Sequence, residues 1–212
     1  MAFFGGKKKE KTTQAVSTTV GSASIITNGS KVSGDIQSND TLHVDGEVDG
    51  NIQVNNVVIV GKSGLVNGNI KAQKVICSGK IDGFIECDAI EILQGAEVSY
   101  KIVANVVIID GKYEGEIMAK NVLVDTHSIV ENKIQAKEIV IKGTFVGDLA
   151  CELLTTKVSG KIKGNMFVKN ILNEGGLVEG AIGQYKELNA PKIEKIENKS
   201  SDEVEDVEVE EK

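Results

Sequence analysis

Residues 48–85 read VDGNIQVNNVVIVGKSGLVNGNIKAQKVICSGKIDGFI. One phrase occurs in this stretch three times, as Val48-Asp49-Gly50-Asn51-Ile52, Val66-Asn67-Gly68-Asn69-Ile70 and Ile81-Asp82-Gly83-Phe84-Ile85. A β-branched residue, a spacer, glycine, a spacer and then Ile alternate with period 2, which is strand geometry rather than helix geometry. After each phrase comes a second short apolar segment, then a turn rich in glycine, and the phrase returns.

Upstream the phrase appears around Gly34, and downstream around Tyr100, Gly115, Asn132, Gly147, Gly164 and Gly180. The ten centres, from 34 to 180, recur with a mean period near 16. A helical repeat needs two helices and usually more than about 30 residues. A period near 16 fits one coil of a β-solenoid, with about three short strands stacked on the next coil at about 4.8 Å. Ten such coils predict an all-β rod, a three-sided parallel β-helix roughly 48 Å long.

The composition agrees. Only 4% of the 212 residues are aromatic, Trp is absent, and there are 23 glycines and one proline. A narrow solenoid core has room for a single layer of Val, Ile, Leu and Ala per coil, and its many bends favour glycine.

Counting from the Ile of each phrase, the position two residues on is small: Ser38, Val54, Ala72, Cys87, Ala104, Ala119, Ala136, Cys151 and Val168. The position five residues on is apolar from Val57 and Val75 to Ile171, and the position seven on runs from Ile59 and Cys77 to Ile141, after which the last coils put Thr156 and Asn173 there. Coil one is offset by one and offers Leu42 and Val44. These columns are expected to stack inward as ladders. The position six residues on then points out: Val58, Ile76, Glu91, Ile108, Leu123, Val140, Thr155 and Leu172. Val58, Ile76, Ile108, Leu123, Val140 and Leu172 would make an outer apolar stripe, suited to lateral contact or covered by a tail.

The chain divides into a disordered tail over 1–23, a solenoid over 24–189 and an acidic disordered tail over 190–212. The first tail opens with Phe3 and Phe4 followed by Lys7, Lys8 and Lys9. An apolar tip with a basic cluster is a candidate anchor for an anionic membrane surface; the alternative is a solvated tail. Net charge is −7, of which residues 1–11 carry +3 and residues 192–212 carry −5. The remaining −5 lies on the body, so the body offers no basic surface to nucleic acid. No signal-peptide pattern and no apolar run near 18 residues is present, and the expected location is cytoplasmic.

Catalytic chemistry finds no footing. Cys77, Cys87 and Cys151 fall on inward columns, as small buried hydrophobes. His43 faces out between Leu42 and Val44, and His127 lies in a turn-like segment. Neither has partners at metal-ligand spacing. There is no GxxxxGK[ST] loop for a nucleotide and no GxSxG elbow. No cofactor and no metal is expected. β-Helix acyltransferases show a hexapeptide pattern that this repeat lacks.

The recurring [VI]-x-G-x-I phrase in a solenoid flanked by two tails resembles the bactofilin family of bacterial cytoskeletal proteins. The resemblance implies a right-handed three-sided β-helix and nucleotide-independent, apolar filaments built by end-to-end contact. It also implies a membrane-associated scaffold for cell-shape or cell-envelope proteins. The end contacts would draw on Ile25, Ile26, Val32 and Ile36 at one end and on Leu177, Val178, Ile182, Tyr185 and Leu188 at the other, because a β-helix leaves strand edges unpaired there. The competing readings are a monomeric solenoid that presents one face to a partner and, last, an acyltransferase-like enzyme.

Overall fold

The computed structural model describes residues 23–185. Every described element is a β-strand and every pairing between strands is parallel. The chain winds as a solenoid of about ten turns, so each strand lies on the equivalent strand of the coil before it. The first described strand starts at Ala23, one residue before the expected boundary, and the last ends at Gln184.

Three sides follow from the sequence of each coil. Taking the second coil, Glu47–Asp49 forms one side, Ile52–Val54 the next and Val57–Val60 the third. The last side is the wide one. Its strands run Ala23–Ile26, Thr41–Val44 and Val57–Val60 at the start of the rod and continue to Asn173. From Glu97 to Asn173 the three strands of a coil run together without a break, as in Lys112–Val124, and they separate again in the last coil.

The interior is the set of ladders that the phrase dictates. The phrase Ile is buried in coil after coil, from Ile52 through Ile70, Ile85, Ile102, Ile117 and Ile134 to Leu149. The small column is equally regular, with Ala72, Cys87, Ala104, Ala119, Ala136 and Cys151 paired in register. The three thiols are buried, and burial pushes each up to about 12, so they stay protonated and inert at neutral pH. On the Glu47–Asp49 side the inner column is Val66, Ile81 and Val98, and then Tyr113, Val130, Phe145 and Ile162. Tyr113 and Phe145 are fully enclosed, with the smaller Val130 between them.

The centre of the phrase is the corner between the first two sides. Glycine takes it with φ of +129° to +157°, a region closed to most residues. Tyr100 and Asn132 replace glycine there and adopt a different left-handed conformation, φ +89° and +88°. The Tyr100 side chain swings into solvent and is 65% exposed. Its carbonyl is held from inside: the buried Tyr113 hydroxyl lies 2.9 Å from the carbonyl oxygens of both Tyr100 and Glu116.

The mean period of 16 conceals an alternation. The corner that follows the wide side holds four residues in one coil and two in the next. Long turns are Thr27–Ser30, Gly61–Gly64, Leu93–Ala96, Asp125–Ser128 and Lys157–Gly160; the short ones between them are Asp45-Gly46, Ser78-Gly79, Asp110-Gly111 and Lys142-Gly143. Each long turn is closed by the same bond, from the amide of its fourth residue to the carbonyl of its first, at 2.8 to 3.1 Å. The glycine of each short turn tucks beneath it. A Cβ added at Gly111 would stand 2.7 Å from the Leu93 oxygen and 2.8 Å from the Ala96 oxygen. Two coils therefore form the structural unit.

Outside the core, coils are locked by pairs one coil apart. Lys71 meets Glu86 at 3.0 Å, Lys80 meets Glu97 at 2.8 Å, and Glu116 is shared by Lys101 at 3.3 Å and Lys133 at 3.2 Å. Asparagines stack in the same way: Asn51 donates to Asp35, and Asn69 accepts from Phe84 and donates to Asn51. Single exposed ion pairs add well under about 1 kcal/mol each. Their effect is to penalise any register but the native one.

Candidate functional surfaces: two open ends and an apolar flank

A β-solenoid satisfies each strand through the coils above and below it, so the first and last coils are left with free edges. At the N-terminal end these belong to Ala23–Ile26, Lys31–Ser33 and Ile36–Ser38, each paired on one side only among the described residues. At the C-terminal end they belong to Asn170–Asn173, Leu177–Glu179 and Ile182–Gln184, again paired on one side. Among the described residues each end thus presents three open strands around a cross-section of core.

Register shows which predicted end residues face that cross-section. Ile26 lies on Val44, Val32 on Val48 and Ile36 on Ile52, all core positions, so these three point inward. Val178 lies on Ile162 and Ile182 on Met166, likewise inward. Among the described residues Ile182 has no coil above it, and it is 62% exposed. Ile25 and Leu177 do not belong to this set. They sit on the same strands but alternate outward, at 62% and 54% exposure. Tyr185 follows the last strand and is half-buried, while Leu188 lies outside the described residues. One contributor was read only as an ordinary core position. Ile171 lies on the buried Leu154 yet is 39% exposed, because no described strand covers the wide side of the last coil.

Polar residues interrupt both ends. Ser24 and Ser38 take inner positions at the start. At the other end the Asn173 side chain turns back on its own corner, accepting from the amides of Gly175 and Gly176 and donating to the Gly176 carbonyl. Beneath it the Thr156 hydroxyl is buried without a partner.

The flank of the wide side carries the second candidate surface. Its outward ladder runs in register through Ile25, His43, Ile59, Ile76, Glu91, Ile108, Leu123, Val140, Thr155 and Leu172, one rung per coil, with Thr155 buried. Five of the six stripe residues expected from the sequence lie on it. Val58 does not: it is fully buried, and its neighbours Val57 and Ile59 face out instead of in. Coil two, like coil one, has one more residue at the preceding corner, Asn55-Asn56-Val57 against Gln73-Lys74 in coil three, and a shift of one residue exchanges the faces of a strand. Ile25 and Ile59 take the places that complete the ladder.

The two histidines are each beside one carboxylate. His43 lies 3.2 Å from Asp45 and His127 3.1 Å from Asp110. Neither pair has a nucleophile or a third partner within it, and the described residues contain no group of three His, Cys, Asp or Glu able to hold a metal. No described helix is long and apolar enough to cross a membrane. Phe3, Phe4, Lys7, Lys8 and Lys9 lie outside the described residues.

A family model for bactofilins, described as polymer-forming cytoskeletal, matches the chain twice, over residues 24–109 and 101–183. The chain belongs to the bactofilin family. The two matches follow one another along the rod and overlap within the strand Glu97–Ile109. Searches of curated proteins and of solved structures returned no match. Family and fold together support a polymer-forming cytoskeletal protein, of a structural family.

Proposed function

We propose that the protein assembles end to end into nucleotide-independent filaments and serves as a scaffold at the cytoplasmic face of the membrane, where it gathers cell-shape or cell-envelope proteins. The supporting observation is the pair of ends left open among the described residues, above all Ile182, a core-column residue that is 62% exposed. A second rod placed there pairs the free edges and covers Ile171, Val178 and Ile182. Removing that much apolar surface from water contributes about 25 cal/mol per Å². The reading as a capped monomer has one observation in its favour, the Asn173 side chain closing part of the last coil.

Ile182→Arg puts a charge into the end contact. Purified without nucleotide, the variant is expected to give short soluble species by electron microscopy where the wild type gives long filaments. Long filaments from the variant would show that this end is not the contact. The membrane half of the proposal rests on the tip of Phe3, Phe4 and Lys7–Lys9. Deletion of residues 1–11 is expected to abolish co-sedimentation with anionic liposomes and to leave filaments intact. Undiminished liposome binding by the truncated chain would remove the anchor from the proposal.

A further inference from the structure

An asparagine can close a succinimide ring on the backbone of the residue that follows it. The side-chain carbonyl carbon has to reach the next backbone nitrogen, and that nitrogen has to be uncommitted. Glycine in the next position removes the Cβ that hinders the approach. The chain contains two Asn-Gly pairs, Asn28-Gly29 and Asn67-Gly68, and the rod holds them in opposite ways.

Asn67 ends the strand Leu65–Asn67 and is paired on both sides, with Asp49 and with Asp82. Its Nδ2 donates to Asp49 Oδ1 at 2.8 Å, and the Gly68 amide donates to the Asp82 carbonyl at 3.0 Å. A Cβ added at Gly68 would overlap the Gly50 carbonyl, so the backbone there has no room to turn. The Asp-Gly pairs, which close the same ring more slowly, are packed likewise. An added Cβ at Gly46, Gly50, Gly83 or Gly111 would meet a carbonyl oxygen of the coil before.

Asn28 and Gly29 are the two middle residues of the turn Thr27–Ser30, and both are exposed. The turn is closed by the Ser30 amide on the Thr27 carbonyl at 3.0 Å, with the two hydroxyls 3.2 Å apart. Neither contact uses the Asn28 side chain or the Gly29 amide, and among the described residues neither group has another partner. Gly29 has φ +82° and nothing within 4 Å of an added Cβ. Gln94-Gly95 occupies the same two places in the turn Leu93–Ala96, with φ +86° at Gly95 and the same open surroundings. Gln94 carries one more methylene, so its ring would be larger and closes far more slowly. The two turns differ in the one atom group that the chemistry needs.

We infer that Asn28 is a site of spontaneous deamidation, with an aspartyl or isoaspartyl residue as the product. The Gly29 nitrogen attacks the Asn28 side-chain carbonyl carbon and gives up its proton, the bond from that carbon to Nδ2 breaks, and ammonia leaves. Water then opens the ring. Hydrolysis at the side-chain carbonyl leaves aspartate, and hydrolysis at the main-chain carbonyl leaves isoaspartate. Either product places a new negative charge at the N-terminal end of the described rod. The isoaspartyl form also adds a backbone atom to a turn whose Ser30 carbonyl accepts the Glu47 amide at 2.9 Å, which loosens the first coil. The inference does not depend on the end-to-end reading, because the turn is complete within one chain.

The test ages full-length protein at mildly alkaline pH and follows the conversion of amide to acid by peptide mass spectrometry. Isoaspartate is read separately with an isoaspartate methyltransferase and S-adenosylmethionine as the probe. Asn28 is expected to convert at least about tenfold faster than Asn67, which has to wait for local opening of its ladder. Gln94 should stay unchanged. In denaturant Asn67 should catch up with Asn28, which shows that the fold and not the dipeptide protects it. Asn28→Gln should remove most of the isoaspartate that the folded protein forms. Equal rates at Asn28 and Asn67 in the folded protein would overturn the inference. So would an Asn28 that converts in denaturant but not in the fold.

Discussion

Gly115→Val is expected to destabilise the rod by about 3–5 kcal/mol, the sum of backbone strain and overpacking. Gly115 lies at the corner of its coil with φ +153°, which a β-branched residue does not adopt. A Cβ there would also overlap the Tyr100 carbonyl and stand 2.9 Å from the Tyr113 hydroxyl. Neither neighbour can withdraw, because that hydroxyl ties the Tyr100 carbonyl from the core side. Thermal unfolding followed by circular dichroism checks the prediction. A variant that melts within about 2 °C of the wild type would show that the corner is compliant. The same substitution at Gly95, which has positive φ but nothing within 4 Å of an added Cβ, is the control for strain alone.

Phe145→Ala should cost a similar amount, about 3–5 kcal/mol, by a different route. Phe145 is fully enclosed between Val130 and Ile162 in the inner column. Branched residues locked in a β-ladder cannot collapse into the space left by a phenyl ring, so the cavity persists. A solenoid has only nearest-neighbour contacts, so a defect there divides the rod rather than weakening it uniformly. The coils after Phe145 include the partnerless Thr156 hydroxyl and the thinly covered last turn. They are expected to melt first, giving a low-temperature step in calorimetry that the wild type lacks. A single cooperative transition shifted as a whole would contradict that one-dimensional picture.

Most of the architecture was legible in the phrase because period 2 assigns every other residue to the core and the ten copies count the coils. The errors came where counting is fragile. One additional residue at the Asn55-Asn56 corner exchanged the faces of the next strand, so Val58 was expected outside and is buried, while Val57 and Ile59 did the reverse. Local spacing carries no mark of this; only pairing with coils one and three reveals it. Ile25 and Leu177 were grouped with the ends because they are apolar and terminal, but alternation along their strands points them outward. Tyr100 could not be placed from the sequence, since a tight bend and a need for space both call for glycine. The structure shows both demands at one corner, met by a left-handed tyrosine turned to solvent. The open ends were legible as an idea but not as a residue set, because exposure of Ile171 depends on where the last strand stops.

The nesting of short turns beneath long ones limits how such a rod can change its length. Removing a single coil would bring two turns of the same length together at that corner, either two four-residue turns without the short-turn glycine that makes room for their carbonyls or two two-residue turns. Removing two coils restores the stack. Rods on this plan should therefore lengthen and shorten in steps of about 9.6 Å. Gene segments encoding 32 residues, the distance from Gly68 to Tyr100 or from Gly115 to Gly147, would be the natural unit of insertion and deletion. A family member with one coil more or fewer would need a compensating turn elsewhere, and the three-residue turn Glu174–Gly176 shows what such a compromise looks like.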